Sequence, residues 1–140
     1  EPTMTEPAES IVDELLALSQ QLLDAVDGGD WNAYAELCDA SLTAYEPEAV
    51  GQLVRGMEFH RFYFDPKKRT DKTGKQSSIC SPDVRLMGEV AVVSYVRLTQ
   101  RMLEGGTTTV ANEETRVWQF QEGRWQHVHF HRSESGGINL

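Results

Sequence analysis

One stretch near the end of the chain restricts its fold more than any other. Asn112-Glu113-Glu114-Thr115-Arg116-Val117-Trp118-Gln119-Phe120 leads into a turn at Glu122-Gly123. It returns as Arg124-Trp125-Gln126-His127-Val128-His129-Phe130-His131-Arg132. Two arms rich in aromatic and β-branched residues around a glycine-containing turn predict a β-hairpin. In a strand, successive side chains point to opposite faces. The second arm is therefore expected to send Gln126, Val128, Phe130 and Arg132 to one face and Trp125, His127, His129 and His131 to the other. The rest of the chain reads as a frame that covers and completes this sheet.

Residues 1–8, with Pro2 and Pro7 among polar residues, read as a flexible lead-in. A first helix is expected from Ser10, where Ser10 and Asp13 resemble a capping box. Ile11, Leu15, Leu18, Leu22 and Val26 share one face, widened by Leu16 and Leu23, and Gly28-Gly29 ends the helix. Asp30 is placed to cap a second, shorter helix in which Trp31, Tyr34 and Leu37 or Cys38 share a side. Residues 42–46 read as a short strand stopped by Pro47, and 52–55 as another pairing back on it. Residues 57–64 read as a third helix, rich in aromatics, with His60 in its middle. The polar, basic stretch 65–77 is the longest loop candidate: a solvated loop, or more sharply a docking patch for an acidic partner. Strands are expected over 79–87, broken or bulged at Pro82, and over 90–102; after Gly105-Gly106 the next strand carries Arg116. Helices first and antiparallel strands afterwards predict an α+β fold with helices on one face of a curved sheet.

At 140 residues the chain is expected to be one domain. Its net charge of −9 argues against nucleic-acid and anionic-membrane partners, which repel an acidic surface. No apolar run approaches the roughly 20 residues of a membrane span, and no basic-then-apolar signal opens the chain. Cys38 and Cys80 lack metal or redox spacing and read as reduced thiols of a cytoplasmic protein.

His127, His129 and His131 would share a strand face at steps of about 6.6 Å. Two of them can share a zinc ion only with a further ligand, and no obvious carboxylate or cysteine completes the set. The stronger reading is histidines lining a packed or interfacial face, where contacts can respond to pH. Neither a metal nor a cofactor is expected. Arg97, Arg116 and Arg132 lie in the bodies of three long strands among apolar neighbours. A desolvated arginine needs an acidic partner or a bound anion; Glu113 and Glu114 are the nearest candidates for pairing. Two readings stand: solvated or salt-bridged surface positions, or a pocket for a carboxylate-bearing ligand or peptide. Tyr95 and Asp39 are an imaginable acid–base pair whose geometry nothing fixes, and no nucleophile elbow, phosphate loop or paired-carboxylate motif appears.

Several blocks together carry a family resemblance. They are Gly29-Asp30-Trp31-Asn32-Ala33-Tyr34, Leu42-Thr43-Ala44-Tyr45-Glu46-Pro47-Glu48-Ala49, Gly56-Met57-Glu58-Phe59-His60-Arg61-Phe62-Tyr63-Phe64, Tyr95-Val96-Arg97-Leu98-Thr99-Gln100, Glu113-Glu114-Thr115-Arg116-Val117-Trp118 and residues 125–133. In this order they resemble the association (hub) domain of calcium/calmodulin-dependent protein kinase II. The resemblance covers about residues 9–135, leaving 136–140 as a C-terminal tail. It implies a cone-like fold of the nuclear transport factor 2-like, cystatin-like kind, with a long N-terminal helix packed in a strongly curved antiparallel sheet. It also implies a non-catalytic homo-oligomer of dimers stacked in two rings of a dozen or more subunits. In the full kinase such a hub gathers catalytic domains for phosphorylation in trans. An arginine-lined pocket for small carboxylates, or for a regulatory peptide, is implied at His60, Arg97, Arg116 and Arg132. Because no kinase domain or calmodulin-binding segment stands in these residues, the chain reads as a piece of such a kinase or as a free-standing hub-like protein. A small-molecule enzyme of the isomerase or dehydratase kind on the same fold is the alternative. Residues 103–111 depart from the family pattern, and 65–77 look more basic than its usual loop.

Overall fold

Leu15, Ser19, Leu22, Leu23 and Asp27 are the buried residues that give the first helix its inward face. Spacings of three and four place them on one side. The computed structural model describes residues 5–66 and 74–134. Its elements run α1 (Thr5–Gly28), α2 (Trp31–Leu37), β1 (Cys38–Tyr45), a 3-10 turn (Pro47–Ala49), β2 (Val54–Arg55), a second 3-10 helix (Glu58–Phe64), then β3 (Lys75–Met87), β4 (Val90–Leu103), β5 (Gly106–Gln121) and β6 (Arg124–Glu134). The fold is α+β, as expected. α1 starts at Thr5 rather than at Ser10, so the expected capping box lies inside the helix. Pro7 then sits in the first turn, where its missing N–H leaves no helical hydrogen bond unmade. Asp30 caps α2 as expected, its side chain accepting from the Ala33 N–H at 3.1 Å.

All six strands form one sheet in the order β2-β1-β6-β5-β4-β3. β3 to β6 are antiparallel neighbours, whereas β1 lies parallel to β6. The β5–β6 turn has positive φ at Glu122 (52°) and Gly123 (84°). Two such residues are what the tight hairpin turn of right-twisted strands requires. β3 is bulged between Cys80 and Asp83, around the expected Pro82. It begins at Lys75, so 75–77 are strand rather than loop; the lysine-rich remainder, 67–73, and the tail lie outside the described residues. The aromatic segment 58–64 is a 3-10 helix. Its period of three stacks His60 on Tyr63, with ring centroids 6.1 Å apart and planes 18° from parallel.

The core lies between α1 and the inner sheet face. Trp118 is fully buried and donates from Nε1 to Ser19 Oγ at 3.2 Å, which ties β5 to α1. Leu42 and Ala44 of β1, Ala91, Val93 and Tyr95 of β4 and Phe130 of β6 complete it.

Candidate functional site

A bulge in β6 decides which histidines face inward. The β5–β6 register steps from Trp118↔His127 to Val117↔His129, leaving Val128 as the extra residue. His127 and Phe130 both face the core, while His129 and His131 lie on the outer face beside Val117 and Thr115. The expected single face of three histidines is therefore corrected: an unbroken period of two does not survive one inserted residue. Among the described residues, no three His, Cys, Asp or Glu side chains converge to hold a metal.

His127 is fully buried, with Nδ1 3.4 Å from Cys38 Sγ and Nε2 3.3 Å from Arg116 Nη1. Burial disfavours its charged form and Arg116 repels it, so its pKa stays well below the usual imidazole range. Burial likewise pushes the Cys38 thiol up to about 12, which leaves it protonated and unreactive at neutral pH.

The four residues expected from the sequence, His60, Arg97, Arg116 and Arg132, line one cavity of about 40 Å³. Arg97, Arg116 and Arg132 come from β4, β5 and β6, adjacent strands of the sheet. His60 reaches it from the second 3-10 helix. Arg97 and Arg116 are 8% and 3% exposed, so their charges demand partners. Glu114, 2% exposed, serves both: Oε2 lies 3.3 Å from Arg97 Nη1 and Oε1 3.1 Å from Arg116 Nη2. Tyr95 donates its hydroxyl to Glu114 Oε1 at 2.5 Å and accepts from Arg116 Nε at 2.7 Å. Arg97 also reaches Ser77 Oγ at 2.9 Å and Asp27 Oδ1 at 3.0 Å. Arg116 lies over the Phe130 ring at 4.7 Å. Burial alone would raise the Glu114 pKa; the two arginines and the Tyr95 hydroxyl outweigh it and hold the group ionised below its ordinary range.

The mouth of the cavity is more open. Arg132 Nη2 donates to Glu48 Oε1 and lies 3.4 Å from the Tyr63 hydroxyl. His60, 1% exposed, places Nε2 2.7 Å from Glu46 Oε2, and Tyr63 donates to the other Glu46 oxygen. His60 Nδ1 is buried with no partner among the described residues. Of the two acids expected to pair, Glu114 faces in, whereas Glu113 alternates to the exposed side. Asp27, Glu46 and Glu48 were not foreseen. Asp27 left a signal: an acid in the last turn of a helix opposes the helix dipole and calls for a cation, here Arg97 and, at 3.8 Å, Lys75. Tyr95 and Asp39 do not meet; Tyr95 engages Glu114 and Arg116, and Asp39 accepts from its neighbour Ser41.

The outer face differs. Val92, Val117, His129 and Thr43 are successive cross-strand neighbours, as are Ser94, Thr115, His131 and Tyr45. Thr43 Oγ1 and His129 Nδ1 are 2.7 Å apart, and the Tyr45 ring, 41% exposed, packs between His129 and His131.

Residues 12–136 match the calcium/calmodulin dependent protein kinase II association domain. Over 129 residues, 91% of this chain, the sequence is 46% identical to the delta subunit of calcium/calmodulin-dependent protein kinase type II from Oryctolagus cuniculus. It is 44% identical over 128 residues to the kinase's alpha chain from Drosophila melanogaster. The chain spans 24% of the length of each of these curated relatives. The structure of the C. reinhardtii hub homology domain is 48% identical with a TM-score of 0.83, covering 90% of this chain and 99% of that one. The C. elegans association domain is 40% identical with a TM-score of 0.81, covering 89% and 96%. An NTF2-like protein from Salmonella enterica, 18% identical with a TM-score of 0.77 and covering 95% and 96%, shares the fold.

Proposed function

The chain belongs to the family of calcium/calmodulin-dependent protein kinase II association domains, and from that premise we propose that it is a self-assembling hub. Residues 9–135 form the assembling unit, and copies pair through their outer sheet faces into dimers that stack in two closed rings. The observation that carries this reading is the outer face itself. Val92 and Val117, flanked by His129 and Tyr45, stand opposite the face that packs against α1. An apolar sheet face rimmed by polar groups calls for a partner, and a symmetric copy is self-complementary cover. Where a kinase domain is attached, closure into a ring holds catalytic domains at high effective concentration, which favours phosphorylation in trans. Catalysis is not a role of this unit. The cavity of about 40 Å³ has room for a carboxylate head group.

The pocket at His60, Arg97, Arg116 and Arg132 is proposed to take a small carboxylate or the acidic end of a regulatory peptide, and to bias assembly by binding one packing state better than another. Among the described residues no helix is long and apolar enough to cross a membrane; the hub is proposed to be cytoplasmic. Native mass spectrometry of the purified chain at micromolar concentration tests the assembly. A narrow set of large, even-numbered species is expected; a monomer or simple dimer would overturn the reading.

A further inference from the structure

The arginine pocket already holds a carboxylate of its own chain. Both oxygens of Glu114 are engaged, Oε1 by Arg116 Nη2 and the Tyr95 hydroxyl and Oε2 by Arg97 Nη1. Tyr95 in turn takes Arg116 Nε, so the guanidinium edges that an incoming anion would grip are in use. The two strands that carry these groups, β4 and β5, pair in unbroken register, and the groups are nearly solvent-free. A second carboxylate entering such a site meets an uncompensated negative charge in a medium where charges are poorly screened.

We propose that Glu114 is the resident occupant of the Arg97–Arg116 fork and the affinity-setting residue of the pocket, so that an external carboxylate binds by competing with it. This inference rests on the pocket reading above and adds its regulation: the site is a competition between an internal and an external carboxylate. It follows that the wild-type pocket is a weak anion site. Affinity rises when the internal carboxylate is neutralised or loses its hold. Arg132 is outside this fork. Its partners are Glu48 and the Tyr63 hydroxyl, so it is placed to orient the far end of a ligand while Arg97 and Arg116 take the head group.

Ligand-observed NMR with carbon-13 acetate, on the assembled full chain, measures the competition. Acetate is a small probe with the right head group and suits a cavity of about 40 Å³. Glu114→Gln keeps the shape and removes the charge. It is expected to bind acetate at least tenfold more tightly than the wild type, because Arg116 is left with an unmet charge. Tyr95→Phe is the milder variant: it removes one donor to Glu114 and one acceptor from Arg116. Its expected affinity is intermediate, and it carries the test should Glu114→Gln fail to fold by circular dichroism. A wild type that binds acetate as tightly as the folded variants overturns the role of Glu114 and leaves the pocket reading standing. No binding by the wild type or either variant overturns both.

Discussion

The two faces of the sheet use the same strands to opposite ends. On the inner face every arginine is matched: Arg97 to Asp27 and Glu114, Arg116 to Glu114, and Arg132 to Glu48. On the outer face the same strands and β1 present Val92, Val117, His129 and Tyr45 beside Thr43 and His131, with no ion pair among these described residues. The inner face is finished within one chain, whereas the outer face is the one proposed to be finished by a second copy. The difference teaches where each kind of substitution acts. Inner changes are expected to alter the fold of the subunit, and outer changes, on the proposed reading, how many subunits stay together.

The largest effect on the fold is expected at Arg116. Arg116→Ala strips Glu114 of a buried counter-charge and leaves the Tyr95 hydroxyl without its donor. A loss of about 3–5 kcal/mol follows, to be read as a lowered denaturant midpoint. Loss within about 0.5 kcal/mol would mean that the inner cluster is not what holds β4 and β5 against α1.

Acid comes next, and its sign follows from two depressed pKa values. The unfolded chain protonates an imidazole near pH 6.5, whereas folded His127 does so only well below that. Stability is therefore intact above about pH 6.5 and falls as the pH drops through it, by at most about 1.4 kcal/mol per pH unit for each proton. Glu114, also depressed, adds a second loss as the pH falls below the ordinary 4.5 of its carboxyl. His127→Gln should flatten the first phase and spare the second in a pH series of thermal melts. An unchanged first phase would point instead to His129, whose pKa burial and His131 also lower.

Arg132 supplies a smaller contrast within the same pocket. Its side chain is 18% exposed and its partner Glu48 37%. Pairs at such positions are worth up to about 1 kcal/mol, so Arg132→Ala should leave the denaturant midpoint nearly in place. Acetate binding, by contrast, should retain its head-group contacts and change little.

Much of this arrangement was legible in the residues. The 3.6-residue spacing of α1, the Asp30 cap, the Glu122-Gly123 turn and the long strands each follow from local chemistry. The motif blocks around His60, Arg97, Arg116 and Arg132 named four of the side chains that line the cavity. Three things were not legible. The Val128 bulge is one inserted residue, and an alternating pattern shows no trace of it, so His127 was put on the wrong face. The parallel pairing of β1 with β6 joins segments about 80 residues apart and rests on no turn that local sequence can encode. Glu46 and Glu48 sit around a proline in a segment that reads as a strand end; only the second 3-10 helix brings His60 and Tyr63 to Glu46, and only β6 brings Arg132 to Glu48.

The outer face has the smallest expected effect on the fold and the largest on assembly, and it offers the most direct measurement. Sedimentation velocity of Val117→Lys beside the wild type, at equal micromolar concentration, separates the two faces in one experiment. The wild type should sediment as a large, discrete assembly. The variant should fall to small species with an unchanged circular dichroism spectrum, because half-buried Val117 lies on the outer face beside Val92 and His129. A Val117→Lys variant that kept the mass of the wild type would contradict the assignment of this face to a second copy.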